Sequence, residues 1–235
     1  MLLVLNPNMS ASLLPTSDVT VGGLGITILY SQGSNYGGNP SLQEGDIAKF
    51  LPGEEFNIKI KQLANPSMSN IEKNTFDSNI ISIQRSNTLS ITPTDDNKVS
   101  SDDSDIDIYA WFSNGTLYYY STANKLYMNE DSGSMYSYLT KMASIDLSDI
   151  DTSKVTSMSF MFRDCNLLTV LDLSNFNTSK VTDMSYIFSN CSSLTTLDIS
   201  NFNTSNVIDM GWMFYKCNSL NHLDLSSFDT SKVLI

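Results

Sequence analysis

The sequence is poor in basic residues, in cysteine and above all in histidine. Its 235 residues include 13 Lys or Arg against 25 Asp or Glu, which gives a net charge of −12. Binding to nucleic acid depends on counterion release by a basic protein surface, so this class of partner is excluded. The single histidine excludes most zinc sites and a second general base. We therefore expect no enzyme activity and no cofactor.

Long apolar runs are missing as well. No window approaches the roughly 18 apolar residues of a membrane helix, so we expect no membrane span. Met1–Leu5 is apolar, but Asn6 ends the run, and no Lys or Arg precedes Lys49. A secretory signal needs a positive region and an apolar run of about 7–15 residues. The sequence predicts a chain that is either made without secretion or trimmed from a secreted protein.

A 26-residue repeat occupies the second half of the chain. The motif Ile145-Asp-Leu147 recurs as Leu171-Asp-Leu173, Leu197-Asp-Ile199 and Leu223-Asp-Leu225. A fixed period of this length is the mark of stacked repeats. The fold class predicted is an α+β solenoid, a right-handed leucine-rich-repeat coil with one parallel sheet and short helices, preceded by a β-rich N-terminal region. Its strands are expected near 145–148, 171–174, 197–200 and 223–226.

The second half of each unit carries apolar residues at helical spacing. Met184, Ile187, Phe188 and Cys191 fall at i, i+3, i+4 and i+7, which predicts a short helix. The three cysteines, Cys165, Cys191 and Cys217, recur at the same 26-residue spacing. An odd count at long spacing does not form a disulfide framework, so we expect three buried, reduced thiols.

The run Met-Phe-x-x-Cys-x-x-Leu-x-x-Leu-Asp-Leu-Ser resembles the BspA-like, treponemal-type leucine-rich repeat in its 26-residue form. The resemblance covers residues 132–235, and the aromatic stretch 106–127 resembles a segment that often precedes such arrays. It implies a non-enzymatic, protein-binding or adhesive role at the cell surface. The usual export signal and anchor are not present in this chain.

An aromatic hairpin is predicted upstream of the repeats. Ile108–Phe112 and Thr116–Tyr120 flank Asn114-Gly115, a dipeptide suited to a tight hairpin turn. Alternation places Tyr109 and Trp111 on one apolar face. That face is either covered, as part of a cap on the repeats, or a ligand-facing platform for a glycan or a peptide.

The remaining residues divide by composition. Strands are predicted at Thr20–Tyr30, Phe56–Leu63 and Ile80–Ile91. Asp103, Asp105 and Asp107 alternate as in a calcium loop, but the required Gly and distal Glu are absent, which favours a solvated linker. The predicted domains are an irregular arm at 1–18, a β-rich domain at 19–92, an acidic linker at 93–107, an aromatic hairpin and cap at 108–131, and the repeat array at 132–235.

Four aspartates form the main candidate binding surface. Asp146, Asp172, Asp198 and Asp224 alternate with the buried residues of the repeat motif, so they are expected to form one exposed column. Like charges at that spacing repel one another. The column is either a ligand-facing acidic stripe or a structural ladder in which each carboxylate accepts hydrogen bonds from a turn.

The function expected from these features is a surface-exposed module that binds a protein or another host-surface ligand. The alternative is a virion structural or receptor-binding component carrying the same repeats. The cell surface or the extracellular space is the expected location, and the virion is the alternative. Because bare repeat ends expose apolar side chains, we expect the C-terminal end to be covered by further coils, a subunit or a partner.

Overall fold

The computed structural model describes residues 47–66 and 79–234, together with the backbone of two short strands nearer the N-terminus. The chain divides into two units, residues 1–46 and 47–235. In the first unit, β1 (Val19–Thr20) pairs antiparallel with β2 (Thr27–Ile28). The predicted arm at 1–18 and the rest of the strand predicted at Thr20–Tyr30 lie outside the described residues.

A helix, α1 (Gly53–Ala64), stands where the sequence suggested a strand at Phe56–Leu63. That prediction was wrong because the helical period decides which side chains are buried. Phe56, Ile60 and Ala64 are buried at spacings of four, while Ile58 is only half-buried. Two glutamates lie in the first turn and Lys61 in the last, where each charge sign is favourable.

Two sheets organise the residues between α1 and the repeats. β3 (Ala48–Lys49), β7 (Leu126–Tyr127) and β9 (Ile150–Asp151) form a parallel sheet. β5 (Tyr109–Ser113), β6 (Thr116–Tyr120), β4 (Ser82–Arg85) and β8 (Ser144–Ile145) form a mixed sheet in that order. The predicted hairpin is confirmed as β5 and β6, with positive φ angles at Asn114 and Gly115. Of the strand predicted at Ile80–Ile91, only β4 is present.

The predicted leucine-rich-repeat coil, with its single parallel sheet and short helices, is wrong. Within residues 47–66 and 79–234, the molecule is a small β-rich domain with one helix, α1, and the two small sheets. The segments 171–174, 197–200 and 223–226 contain no strand. Within 145–148, only Ile145 belongs to a strand, β8, which pairs with β4 and not with another repeat unit.

The 26-residue units pack on one another through turns and isolated hydrogen bonds, and we call this part of the molecule (residues 132–234) the repeat stack. The residues predicted to be helical form turns instead, with positive φ at Tyr186 and Asn190. A left-handed residue interrupts a right-handed helix. The N–H of Phe188 therefore donates to the carbonyl of Met213 in the next unit (3.1 Å) rather than to its own unit.

Asparagine side chains replace the predicted sheet beside the Leu-Asp-Leu motifs. The Asn201 Nδ2 atom donates to the carbonyls of Leu173 (3.0 Å) and Phe176 (2.9 Å) in the preceding unit. Asn175 makes the same pair of hydrogen bonds one unit earlier. Side-chain amides thus donate to backbone carbonyls that would otherwise accept from the N–H groups of a parallel strand.

The core of the repeat stack consists of columns of equivalent side chains. The buried rings of Tyr136, Phe162 and Phe188, followed by half-buried Phe214, are stacked with centroids 5.5, 6.0 and 5.8 Å apart. The cysteines form a second column. Cys165 and Cys191 are buried, as predicted, whereas Cys217 is only half-buried, and all three are free thiols.

Candidate functional site

A second set of rings lies on the surface of the repeat stack. Phe160 and Tyr186 are stacked with centroids 4.7 Å apart, and Tyr186 and Trp212 with centroids 6.1 Å apart. We call these three residues the aromatic column. Trp212 is 58% exposed and the other two are half-buried. Because Tyr186 is stacked against a ring from each neighbouring unit, the column presents mainly ring edges to solvent.

The backbone that carries the aromatic column is strained. Phe160, Tyr186 and Trp212 have φ angles of 59°, 57° and 58°. Bulky residues rarely adopt this left-handed conformation, which costs on the order of 1–3 kcal/mol at each site. Hydrogen bonds hold two of them in place, because the N–H of Phe160 donates to Ser185 and that of Tyr186 to Gly211 (2.9 Å each).

A cation and a groove accompany the aromatic column. The Arg163 guanidinium lies 5.4 Å from the ring centre of Phe160 and 5.7 Å from that of Tyr186. Cation–π contacts of this length are favourable, and they fix the guanidinium beside the rings. The adjoining groove has a volume of about 290 Å³ and is lined by Arg163, Asp164, Tyr186, Ser189, Asn190, Trp212, Tyr215 and Lys216.

This surface offers groups for non-covalent contacts. It combines exposed aromatic ring edges with charged and amide side chains that donate and accept hydrogen bonds. In the described part of the chain, no three His, Cys, Asp or Glu side chains lie close enough to hold a metal ion. The same residues contain no helix with the length and apolarity of a membrane span.

The predicted aspartate column is exposed, and each member caps a turn in its own unit. The Oδ1 atom of Asp198 accepts a hydrogen bond from the Ser200 N–H (3.0 Å), and Asp146, Asp172 and Asp224 accept equivalent bonds. These bonds lower the pKa of the Asp198 carboxyl, although the charges of Asp172 and Asp224 oppose the shift. Each carboxylate thus has a structural role, while a ligand for the column stays a prediction.

Tyr109 and Trp111 lie on β5, and their common face is half-exposed. Trp111 is stacked on Tyr118 across the hairpin, with ring centroids 5.5 Å apart. The Tyr109 hydroxyl donates to Asp107 (2.9 Å). Their role in ligand binding stays a prediction.

Comparison with known proteins finds a match to the repeat region. Residues 130–235 match a family described as Mycoplasma protein of unknown function, DUF285. The aromatic column and its groove lie within the matched residues. No curated protein and no solved structure matches the chain. The family description does not mention leucine-rich repeats, so the finer BspA-like resemblance is not established by this match.

The sequence analysis did not identify the aromatic column, although the repeat contains a signal for it. Phe160, Tyr186 and Trp212 recur every 26 residues, each two positions before a ring of the buried column. A helix would have directed such neighbours to different faces. In the structure, too, one set of rings lies inside the molecule and the other on its surface, and each set is stacked from unit to unit.

Proposed function

We propose that this protein is a non-enzymatic, surface-exposed module that binds another protein through the aromatic column and the adjoining groove. The observation that carries this proposal is the partly exposed run of three strained aromatic residues with Arg163 beside them. Tyr, Trp and Arg are the residues most enriched where proteins bind one another tightly. Strain of this kind persists where the surrounding structure enforces it, and such sites are often functional.

Ring geometry favours a protein over a glycan as the ligand. Sugars bind aromatic residues by lying on a free ring face. The two faces of Tyr186 are covered by Phe160 and Trp212, whose planes lie within 10° and 9° of its own. Ring edges and a half-exposed groove suit apolar and polar side chains of a protein partner.

The resemblance of residues 132–235 to BspA-like surface proteins supports a location at the cell surface. The acidic net charge of −12 favours a partner with a basic or neutral contact surface.

A binding experiment with two column variants tests this function. Asn tolerates positive φ, so Phe160→Asn and Tyr186→Asn remove a ring without adding backbone strain. Immobilised wild-type protein should retain a protein from a surface extract of cultured animal cells. Each variant should weaken retention about 30-fold, as expected for loss of a contact worth about 2 kcal/mol.

Val170→Asn is the matched control, because Val170 is 62% exposed and lies outside the column and groove. It should retain the partner as the wild type does. The proposal is wrong if nothing is retained, or if both column variants bind like the control. It is also wrong if binding survives protease treatment of the extract but is lost after removal of its glycans.

A further inference from the structure

Arg163 departs from the pattern of the repeat. The residues at the same position in the other units are Ser137, Ser189 and Tyr215. Both serines are buried, so a small side chain satisfies the packing of this position. The stacking of the units therefore does not require an arginine here. Its side chain reaches the surface, where it is 35% exposed.

Rings from three successive units contact the guanidinium. The Arg163 Cζ atom lies 5.2 Å from the ring centre of Tyr138, in addition to its contacts with Phe160 and Tyr186. Each cation–π contact is favourable, and three of them together restrict the rotamers of the side chain. Much of its conformational entropy is therefore lost before any ligand binds, which lowers the entropic cost of binding.

Hydrogen bonds also fix the backbone around this contact. The N–H of Tyr138 donates to the carbonyl of Arg163 (2.7 Å), and the N–H of Arg163 donates to the carbonyl of Phe160 (3.0 Å). The helix α1 covers the first unit and holds the segment that carries Tyr138, because the Asn57 Nδ2 atom donates to the carbonyl of Ser137 (3.0 Å). The guanidinium is thus held in one place by its neighbours, as a binding group needs to be.

Part of the hydrogen-bonding capacity of Arg163 is not used within the protein. Its Nε–H donates to the Oδ2 atom of Asp164 (3.0 Å), and the Oδ1 atom of the same carboxylate accepts from the Asn190 Nδ2 atom. Within residues 47–66 and 79–234, the two Nη atoms of Arg163 donate to no protein acceptor. The outer N–H groups of the two Nη atoms are parallel, so together they match the two oxygens of a carboxylate.

The groove beside the aromatic column is positive, unlike the molecule as a whole. Its charged lining residues are the cations Arg163 and Lys216 and the anion Asp164, which gives the groove a net charge of +1. The whole chain has a net charge of −12. The carboxylate of Asp164 is already engaged by Arg163 and Asn190. One further negative group from a ligand would balance the charge of the lining.

We infer that Arg163 binds the side-chain carboxylate of an Asp or Glu residue in the protein partner, through paired hydrogen bonds from its two Nη atoms. This inference rests on the protein-binding function proposed above and specifies the chemical group that the groove recognises. The contact surface of the partner stays neutral or basic overall, and this carboxylate is a single acidic group within it.

The position of the rings favours a side chain over a chain terminus as the source of the carboxylate. Tyr138 belongs to the unit before Arg163 and Tyr186 to the unit after it, so rings extend from the guanidinium in both directions. A bound segment that continues past its carboxylate on both sides contacts both sets of rings. A segment that ends at the carboxylate contacts only one.

Selection of random peptides displayed on phage tests the inference before the partner is known. Peptides enriched on the immobilised 235-residue protein should share an Asp or Glu beside apolar or aromatic residues. Selection on Arg163→Gln should not enrich acidic residues. Lys154→Gln is the matched control, because it removes the same charge and a similar ring contact, to Tyr127 (4.5 Å), outside the groove. It should select the same peptides as the wild type.

Affinities of the best enriched peptide then measure the contact itself. The peptide is synthesised with an acetylated N-terminus and an amidated C-terminus, and its acidic residue is present as Glu or as Gln. The Gln form should bind the wild type at least about tenfold more weakly, as expected for loss of a paired, charge-assisted hydrogen bond. Both forms should bind Arg163→Gln with about equal affinity. Arg163→Lys keeps the charge but not the parallel donors, so it should bind the Glu form more weakly than the wild type does.

The inference is wrong if nothing is enriched, or if the enriched peptides lack an acidic residue. It is also wrong if the Glu and Gln forms bind the wild type equally, a comparison that does not depend on the folding of any variant. A Gln form with a free C-terminus that binds as tightly as the blocked Glu form would assign the site to a chain terminus instead. If a protein from the surface extract is still retained in any of these cases, the proposed function stands and only the carboxylate is excluded.

Discussion

Some residues of the repeat stack both pack in the core and donate a hydrogen bond to a neighbouring unit. The thiol of Cys191 fills a core position and also donates to the carbonyl of Phe162 (3.1 Å), 29 residues earlier in the chain. Cys165 and Cys217 make equivalent contacts. Burial raises the pKa of the Cys165 thiol to about 12, so almost no reactive thiolate is present at neutral pH.

The thiols should therefore react in a fixed order. Burial raises the pKa of Cys217 too, but this side chain is only half-buried. At about pH 8, a thiol reagent should modify Cys217 first and slowly, and reach Cys165 and Cys191 only after denaturant is added. Cys217→Ser should remove the early phase alone. Rapid modification of all three thiols in the native protein would contradict the buried cysteine column.

At the scale of the element, the repeat unit is a closed turn structure stabilised by amide side chains. Asn175 and Asn201 each bridge two carbonyls of the preceding unit. In the first unit Asp149 takes the equivalent position. It accepts a hydrogen bond from the Tyr119 hydroxyl (3.1 Å) and pairs with Arg85. The repeat stack is thus joined to the mixed sheet by the residue that replaces asparagine.

Removing one amide should destabilise the whole unit. Asn201→Ala leaves the carbonyls of Leu173 and Phe176 without their donor, so the free energy of unfolding should fall by about 1–3 kcal/mol. The control is Asn221→Ala, since Asn221 is exposed and does not occupy the bridging position of Asn175 and Asn201. Urea denaturation of both variants measures the difference. Equal stability of the two variants would show that the amide bridge contributes nothing.

Sequence alone predicted the register of these elements but not their conformation. The 26-residue period correctly placed the buried residues at Met184, Ile187, Phe188 and Cys191. Their spacing fits a helix equally well, and the left-handed φ angles at Tyr186 and Asn190 distinguish the turn from a helix. Similarly, the Leu-x-Leu motifs predict a strand, because the sequence does not show that the Asn201 side chain donates to the backbone carbonyls beside the motif. Apolar periodicity reports burial, whereas the direction of backbone hydrogen bonds depends on dihedral angles that it does not encode.

At the scale of the whole molecule, the residues from 47 onward form an asymmetric body. One end of the repeat stack is closed by α1, a helix that alternation in the sequence had suggested as a strand. At the other end, the N–H groups of Trp212, Phe214 and Lys216 have no carbonyl partner among the described residues. The aspartates predicted as the binding surface cap turns, while the aromatic column was not predicted. The stacking of the aromatic column depends on the one-way direction of the hydrogen bonds between units, because these bonds hold Phe160 and Tyr186 in place.

Amide hydrogen exchange measures that direction most directly. Phe162, Phe188 and Phe214 occupy the same position in three successive units, and their N–H groups differ only in whether a following carbonyl is present. The N–H groups of Phe162 and Phe188 should exchange slowly, with the free energy of global unfolding, and that of Phe214 should exchange quickly. Protection of Phe214 equal to that of Phe188 in the isolated protein would contradict the account.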